Sequence, residues 1–152
     1  MALLGQKAPD FTLFDHSKNA VTLSALQGQK VVLAFYPAAF TGVCQKELCT
    51  FQNSLAELNS ANGTVLGVSV DGPFSNAAFA KANNLEFQLL SDYSRSTVEA
   101  YGIALNDFAG MAGYTASQRA VFVIDEAGTV IYEWVAENPG IEPDYEAVKN
   151  AL

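Results

Sequence analysis

The chain has 152 residues, half of them hydrophobic and 16% charged, with a formal net charge of −8. That length predicts one domain over residues 1–152, the low charge density excludes a disordered chain, and the negative sign argues against nucleic acid or an anionic membrane as partner. The longest apolar stretch, Val31 to Phe40, is too short to span a bilayer, and Met1-Ala2-Leu3-Leu4-Gly5 lacks the features of a signal peptide, so the expected location is the cytoplasm.

In chain order, Phe11 to Phe14 predicts a short outer strand and Asp15 to Asn19 a polar turn. Val21 to Leu23 predicts a second strand, followed by a brief helical turn capped by Ser24 and ended at Gly28. Lys30 to Tyr36 is a near-continuous apolar run, the mark of a strand buried on both faces, and Pro37 stops it. A long helix is expected from about Val43 to about Ala61, with Leu48, Phe51, Leu55 and Leu58 on one stripe and Gly63 as its stop. Thr64 to Val70 predicts a buried strand, Asp71-Gly72-Pro73 a turn, and Ser75 to Ala82 a helix. A strand at Phe87 to Leu90 and a helix at Ser94 to Tyr101 follow. Ile103 to Gln118 is expected to be an irregular connection, and long connections of this kind often carry function. Ala120 to Ile124 and Thr129 to Trp134 predict a hairpin around Asp125-Glu126-Ala127-Gly128. Asn138-Pro139-Gly140 is a loop, and Asp144 to Leu152 a terminal helix. Alternating β and α elements predict an α/β fold, and a parallel half followed by a hairpin suits a thioredoxin-like sheet.

The rare residues are Cys44, Cys49, His16, Trp134, Arg95 and Arg119. Two cysteines and one histidine fall short of a four-ligand zinc site, so no metal is expected, and no Gly-rich dinucleotide fingerprint follows any strand. With Thr41 as N-cap, Gly42 is the first helical residue and Cys44 the third. Unpaired amides and the helix dipole favour an anion there, which for cysteine is the reactive thiolate. No histidine is near in sequence to act as a base, so a guanidinium is the expected activator. Against this stands the tendency of cysteine to serve as a small buried apolar residue. His16 reads as a surface residue and Arg95 as a solvated charge. Tyr132 and Trp134 flank Glu133 and share one strand face, for core packing or subunit contact.

Pro37-x-x-x-Thr41-x-x-Cys44, with Phe35-Tyr36 before it and Glu47 after it, resembles the active-site signature of peroxiredoxins. Ala8-Pro9-Asp10-Phe11-Thr12-Leu13 is similar to the family's N-terminal signature, and Ser117-x-Arg119-x-x-Phe122-Val123-Ile124-Asp125 to the segment that carries its arginine. The details resemble the bacterioferritin-comigratory (Q-type) and AhpE-like branches. The resemblance implies a thioredoxin-like fold with a central mixed sheet, flanking helices and an N-terminal β extension. It also implies a peroxidase that needs no cofactor, with hydrogen peroxide or small organic hydroperoxides as substrate. Cys44 would be the peroxidatic thiolate that becomes a sulfenic acid. Arg119 would activate it and polarise the peroxide, and the Thr41 hydroxyl would hydrogen-bond the peroxide. Pro37 would shield the sulfur, the amides of Val43 and Cys44 would hold the oxygens, and Glu47 would orient the arginine. Cys49 has the spacing of the resolving cysteine of some Q-type members. The reductant implied is thioredoxin, glutaredoxin or a small thiol, and the assembly a monomer or homodimer. On an intact helix Cys44 and Cys49 lie roughly 8.6 Å apart at Cα, beyond the ~7 Å limit for a disulfide, so bonding between them requires the helix start to unwind. The alternatives are a one-cysteine enzyme resolved by an external thiol, a peroxide sensor, and a disulfide oxidoreductase. The last is disfavoured because its chemistry uses Cys-x-x-Cys and the spacing here is Cys-x-x-x-x-Cys.

Overall fold

A computed structural model describes residues 2–60 and 63–152. Met1 and Ala61, named above at the chain start and at the expected helix end, lie outside the described residues. Nine strands are described: β1 (Thr12–Asp15), β2 (Ala20–Thr22), β3 (Lys30–Phe35), β4 (Gly63–Ser69), β5 (Gln88–Ser91), β6 (Ala104–Leu105), β7 (Ala116–Ser117), β8 (Ala120–Ile124) and β9 (Val130–Val135). Five α-helices accompany them: α1 (Gly42–Asn53), α2 (Leu55–Ser60), α3 (Pro73–Ala82), α4 (Ser96–Ala100) and α5 (Tyr145–Asn150).

Seven strands form one mixed sheet in the order β2-β1-β5-β4-β3-β8-β9, which is the α/β arrangement expected from the sequence. β3, β4 and β5 are parallel, β8 and β9 close one side antiparallel, and the β1–β2 hairpin extends the other. The apolar run of β3 is explained by burial on both faces. Val31, Leu33 and Phe35 enter one core with Phe122 and Tyr101, while Val32, Ala34 and Tyr36 enter a second with Leu48, Phe51 and Phe79. Tyr132 and Trp134 pack against the second core. Gly67 on β4 is where the sheet tolerates no side chain, because a Cβ there would meet Leu89 Cδ2 at 2.7 Å and Tyr36 Cε1 at 3.4 Å. Leu89 is fully buried and has little room to retreat. Gly67→Ala should therefore cost about 1–3 kcal/mol by overpacking, read as a lowered urea midpoint at unchanged m-value.

Several expectations are corrected. The long helix divides at Ser54 (φ −98°, ψ 5°), whose amide is shared between the carbonyls of Thr50 and Phe51. That bridge-region backbone breaks the α geometry and sets α2 off from α1. Gly63 opens β4. Ser24 caps nothing: it lies inside a 3-10 turn over Leu23–Leu26, and its own amide donates to Asp10 Oδ1. Pro73 belongs to α3 as its first residue, behind the N-cap Gly72, where a missing N–H costs no hydrogen bond. α4 begins later than expected, after Arg95 in left-handed backbone (φ 66°), because the Asp92 carboxylate takes the amides of Thr97 and Val98. The connection from Ile103 to Gln118 contains the β6–β7 ladder and a 3-10 turn over Phe108–Gly110. Among the described residues no helix is long and apolar enough to cross a membrane.

Candidate active site

Strand β3 delivers the chain to the carboxyl edge of the sheet, where open α/β folds bind ligands. Pro37 ends the strand, residues 38–41 turn, and α1 starts at Gly42 with Thr41 as N-cap (φ −87°, ψ 146°). The Thr41 hydroxyl does not cap the helix; it donates to the Ala38 carbonyl at 2.9 Å and keeps its lone pairs free for another donor. The first-turn amides of α1, those of Val43 and Cys44 among them, are therefore not consumed by a side-chain cap.

Cys44 is fully buried on the inner face of α1. Arg119, which immediately precedes β8, reaches across to it. Its Nη2 donates to Cys44 Sγ at 3.1 Å, its Nη1 to Glu47 Oε1 at 2.9 Å, and its Nε to the Pro139 carbonyl at 2.9 Å. The planar guanidinium thus spends each edge on a different partner, which fixes its plane. Burial disfavours the charge on Arg119, but Glu47 and Cys44 outweigh it and push its pKa above the ordinary value. Glu47 is fully buried, and burial pushes its carboxyl up to about 8 against the pull of the Arg119 guanidinium. Between the unfolded value near 4.5 and about 8 the folded state holds the extra proton, so this group's contribution to stability falls as pH rises through that window. Glu47→Gln removes the penalty. Its Tm relative to the parent should climb between about pH 5 and 8, and a flat difference would show that Glu47 ionises normally.

A pocket of about 240 Å³ opens beside the cluster, lined by Pro37, Thr41, Gly42, Val43, Phe108, Arg119, Pro139 and Gly140. The loop that forms one wall is pinned from outside. The Ala39 amide donates to Asp71 Oδ2 at 2.8 Å, and Asp71 also accepts from Ser69 Oγ at 2.8 Å. Tyr36 Oη donates to Asn76 Oδ1 at 2.7 Å. Burial holds the Tyr36 phenol well above its ordinary pKa, so it remains a donor. Phe40 adopts left-handed backbone (φ 66°), and its exposed ring packs edge-on against Phe79 at 5.1 Å. A non-glycine residue in that region is strained, and such strain persists only where the surroundings over-determine it.

Sequence reasoning named Pro37, Thr41, Val43, Cys44, Glu47 and Arg119, and the structure gathers all six around one pocket and its buried wall. Cys49 stands apart from them. It is partly buried on α1 with its thiol 3.7 Å from Asn83 Oδ1 at the end of α3, and both cysteines are free thiols. Arg119, not Arg95, is the guanidinium at Cys44; Arg95 donates to the carbonyls of Thr115 and Tyr93. His16, just past β1, accepts the Leu89 amide of β5 through Nδ1. Asp71, the Pro139 carbonyl and Phe108 were missed. Two signals were available: the position of Asp71 just past the carboxyl end of β4, and that of Phe108 within the long connection from Ile103 to Gln118. Among the described residues no cluster of three or more His, Cys, Asp or Glu is placed to hold a metal.

Comparison with known proteins gives the family. The AhpC/TSA family profile matches residues 4–133. A peroxiredoxin bcp of Coxiella burnetii is 37% identical over 131 residues, covering 86% of this chain and 87% of the relative. Alkyl hydroperoxide reductase E of Mycobacterium tuberculosis is 36% identical over 155 residues, covering 100% and 97%. The crystal structure of peroxidoxin BcpB from Mycobacterium tuberculosis superposes with a TM-score of 0.86 at 29% identity, covering 99% of this chain and 95% of that one. With its fold and near-complete length matched to these relatives, the chain belongs to the AhpC/TSA family and is a peroxiredoxin, an enzyme of the thiol-dependent peroxidase class.

Proposed function

We propose that Cys44 is the nucleophile that reduces hydrogen peroxide and small organic hydroperoxides, and that Cys49 resolves it. The observation that carries the role of Cys44 is the Arg119 guanidinium held against its Sγ at 3.1 Å beside an open pocket, while the role of Cys49 rests on its spacing in the chain. The thiolate attacks one peroxide oxygen with an electron pair. The S–O bond forms, the O–O bond breaks, and Cys44 is left as a sulfenic acid while the other oxygen leaves as hydroxide or alkoxide and takes up a proton. The Thr41 hydroxyl, Arg119 and the amides of Val43 and Cys44 orient the peroxide and meet the charge developing on its oxygens. Pro37 carries no N–H to compete for them. The Cys49 thiol then attacks the Cys44 sulfur, releasing water and forming a disulfide. Two electrons from a dithiol such as thioredoxin or glutaredoxin, or from small thiols, regenerate the enzyme in a reducing compartment such as the cytoplasm.

Intact mass after one equivalent of peroxide tests the scheme. Loss of two hydrogens is the expected result, whereas a gain of one oxygen that persists would make this a one-cysteine enzyme. Cys49→Ser should still consume the first equivalent. It should then stop as sulfenic acid, over-oxidise readily, and turn over only with a small external thiol. Because the helix holds the two thiols apart, disulfide formation should strip amide protection from residues 41–50 and leave β3 protected in hydrogen exchange. Undiminished thioredoxin-driven turnover in Cys49→Ser, with equal protection across 41–50 in both redox states, would assign Cys49 to packing.

A further inference from the structure

Three ionisable groups are buried together at the start of α1, and only one of them is a cation. Cys44 and Glu47 are fully buried and Arg119 is 1% exposed, so the guanidinium faces two acids with no bulk solvent to make up a difference in charge. Its Nη2 serves the sulfur and its Nη1 serves Glu47 Oε1, while the second carboxyl oxygen, Oε2, has no hydrogen-bond partner among the described residues. Among the described residues, the elements packed around Glu47 offer no second positive charge. On its own helix, Lys46 is 71% exposed and paired with Glu142 at 3.1 Å. From the residue after β3, the segment before α5 and the first residue of α5, the facing groups are Tyr36, Glu142 and Tyr145. The Tyr36 hydroxyl is committed to Asn76 and the Tyr145 hydroxyl to Glu142. A thiolate, a carboxylate and one guanidinium would bury a net negative charge and an unsolvated anionic oxygen, which costs more than leaving a neutral carboxyl oxygen unpaired.

We propose that Glu47 carries a proton while Cys44 is a thiolate and releases it when that sulfur is oxidised, so that the buried cluster keeps one anion for its one cation on both sides of the reaction. The proposal rests on the peroxidase chemistry above and deepens it. Before reaction the charges are thiolate, guanidinium and neutral carboxyl. Afterwards they are neutral sulfenic acid, guanidinium and carboxylate. The sulfur supplies the electron pair that breaks the O–O bond. The departing hydroxide or alkoxide gains one proton from solvent, Glu47 gives one proton to solvent, and the net proton count is zero. The upward displacement of the Glu47 carboxyl supports the first state. Glu47 acts on the peroxide only through Arg119, so it is a positioning residue whose protonation is set by the sulfur.

The test counts protons. Cys49→Ser protein, which stops at the sulfenic acid, receives one equivalent of hydrogen peroxide in weak buffer with a pH indicator at about pH 7. Cys44 is scored as thiolate by its ultraviolet absorbance against Cys44→Ser, and its oxidation by the gain of one oxygen in mass. The expected result is a thiolate before reaction and no net proton uptake, against one proton taken up per sulfur oxidised in the Glu47→Gln, Cys49→Ser protein. Uptake of one proton with Glu47 present, no thiolate at that pH, or zero uptake by a thiolate in the Glu47→Gln protein overturns the proposal. Should Glu47→Gln not fold, the infrared difference spectrum of oxidation decides instead. A neutral carboxyl band must disappear and a carboxylate band appear, and their absence overturns the proposal. Failure to gain oxygen at all would defeat the peroxidase chemistry itself, a failure distinguishable from a wrong proton count.

Discussion

Cys44→Ser is expected to abolish peroxide turnover while leaving the fold intact. Serine is nearly isosteric with cysteine, and Cys44 sits fully buried among Tyr36, Leu48 and Phe79 of the second core. The hydroxyl can still accept from Arg119, so no buried donor is stranded. The chemistry is different. An alkoxide is inaccessible near neutral pH without a base, and oxygen does not form the stable oxidised acid on which the cycle depends. Reductant consumption measured with hydrogen peroxide should fall to the uncatalysed background. The circular dichroism spectrum should be unchanged and the stability should stay within about 1–2 kcal/mol of the parent, because the buried hydroxyl keeps a hydrogen-bond partner in Arg119. Retained turnover in this variant would remove Cys44 from the mechanism and leave Cys49 as the only other thiol in the chain.

Arg119→Ala should have the second largest effect. It removes the donor at the sulfur, the donor at Glu47 and the wall of the pocket together. Loss of one preorganised donor to developing charge typically costs about 10²- to 10³-fold in rate, and a fall of that order is expected for the reaction of Cys44 with peroxide. Stability should suffer less than the loss of a buried ion pair would suggest. Removing one partner of such a pair commonly costs about 3–5 kcal/mol, because it strands the other charge. Glu47 escapes that cost by holding a proton, its carboxyl being already displaced to about 8 with the arginine present. Arg119→Lys sharpens the result. An ammonium keeps the charge but cannot serve Cys44, Glu47 and the Pro139 carbonyl from one rigid plane. Its rate should fall between parent and alanine variant. Stopped-flow reaction with hydrogen peroxide measures all three, and an alanine variant as fast as the parent would assign activation to the helix start alone.

Part of the candidate site around Cys44 was legible because some of its residues carry their chemistry in their type. A cysteine three residues into a helix behind a threonine N-cap, and a guanidinium to be drawn from only two arginines, can be picked out without coordinates, whereas the choice of Arg119 and the roles of Pro37 and Thr41 came from the resemblance to the peroxiredoxin signatures. The buried strand β3 was equally plain, since the seven apolar or aliphatic-stemmed residues from Lys30 to Tyr36 suit no half-exposed element. Glu47 could not be separated by sequence from an exposed helix carboxylate, because its burial is decided by what α5 and β8 place around it. The break at Ser54 and the β6–β7 ladder were hidden because they depend on where individual backbone amides find acceptors. The Pro139 carbonyl was hidden for the same reason: any residue type offers that acceptor, and only the third dimension brings it to Arg119 Nε. Asp71 lies 32 positions from the amide it holds, a pairing no local pattern encodes.

The bond between that carboxylate and the Ala39 amide fixes an anchor point immediately upstream of the reactive helix. Cys44 lies five positions beyond Ala39, and five residue steps of extended chain span roughly 16–18 Å. With the anchor in place, α1 could melt from Gly42 to Cys49 and still leave the Cys44 sulfur on a tether long enough to meet its neighbour five positions on. The same anchor would keep the Pro37 wall of the pocket in place alongside Phe108, Arg119 and Pro139, while its Thr41, Gly42 and Val43 side loosens with the helix. The rewound helix would then find its cradle unchanged, and restoring the reduced site would require no search by the loop that precedes it.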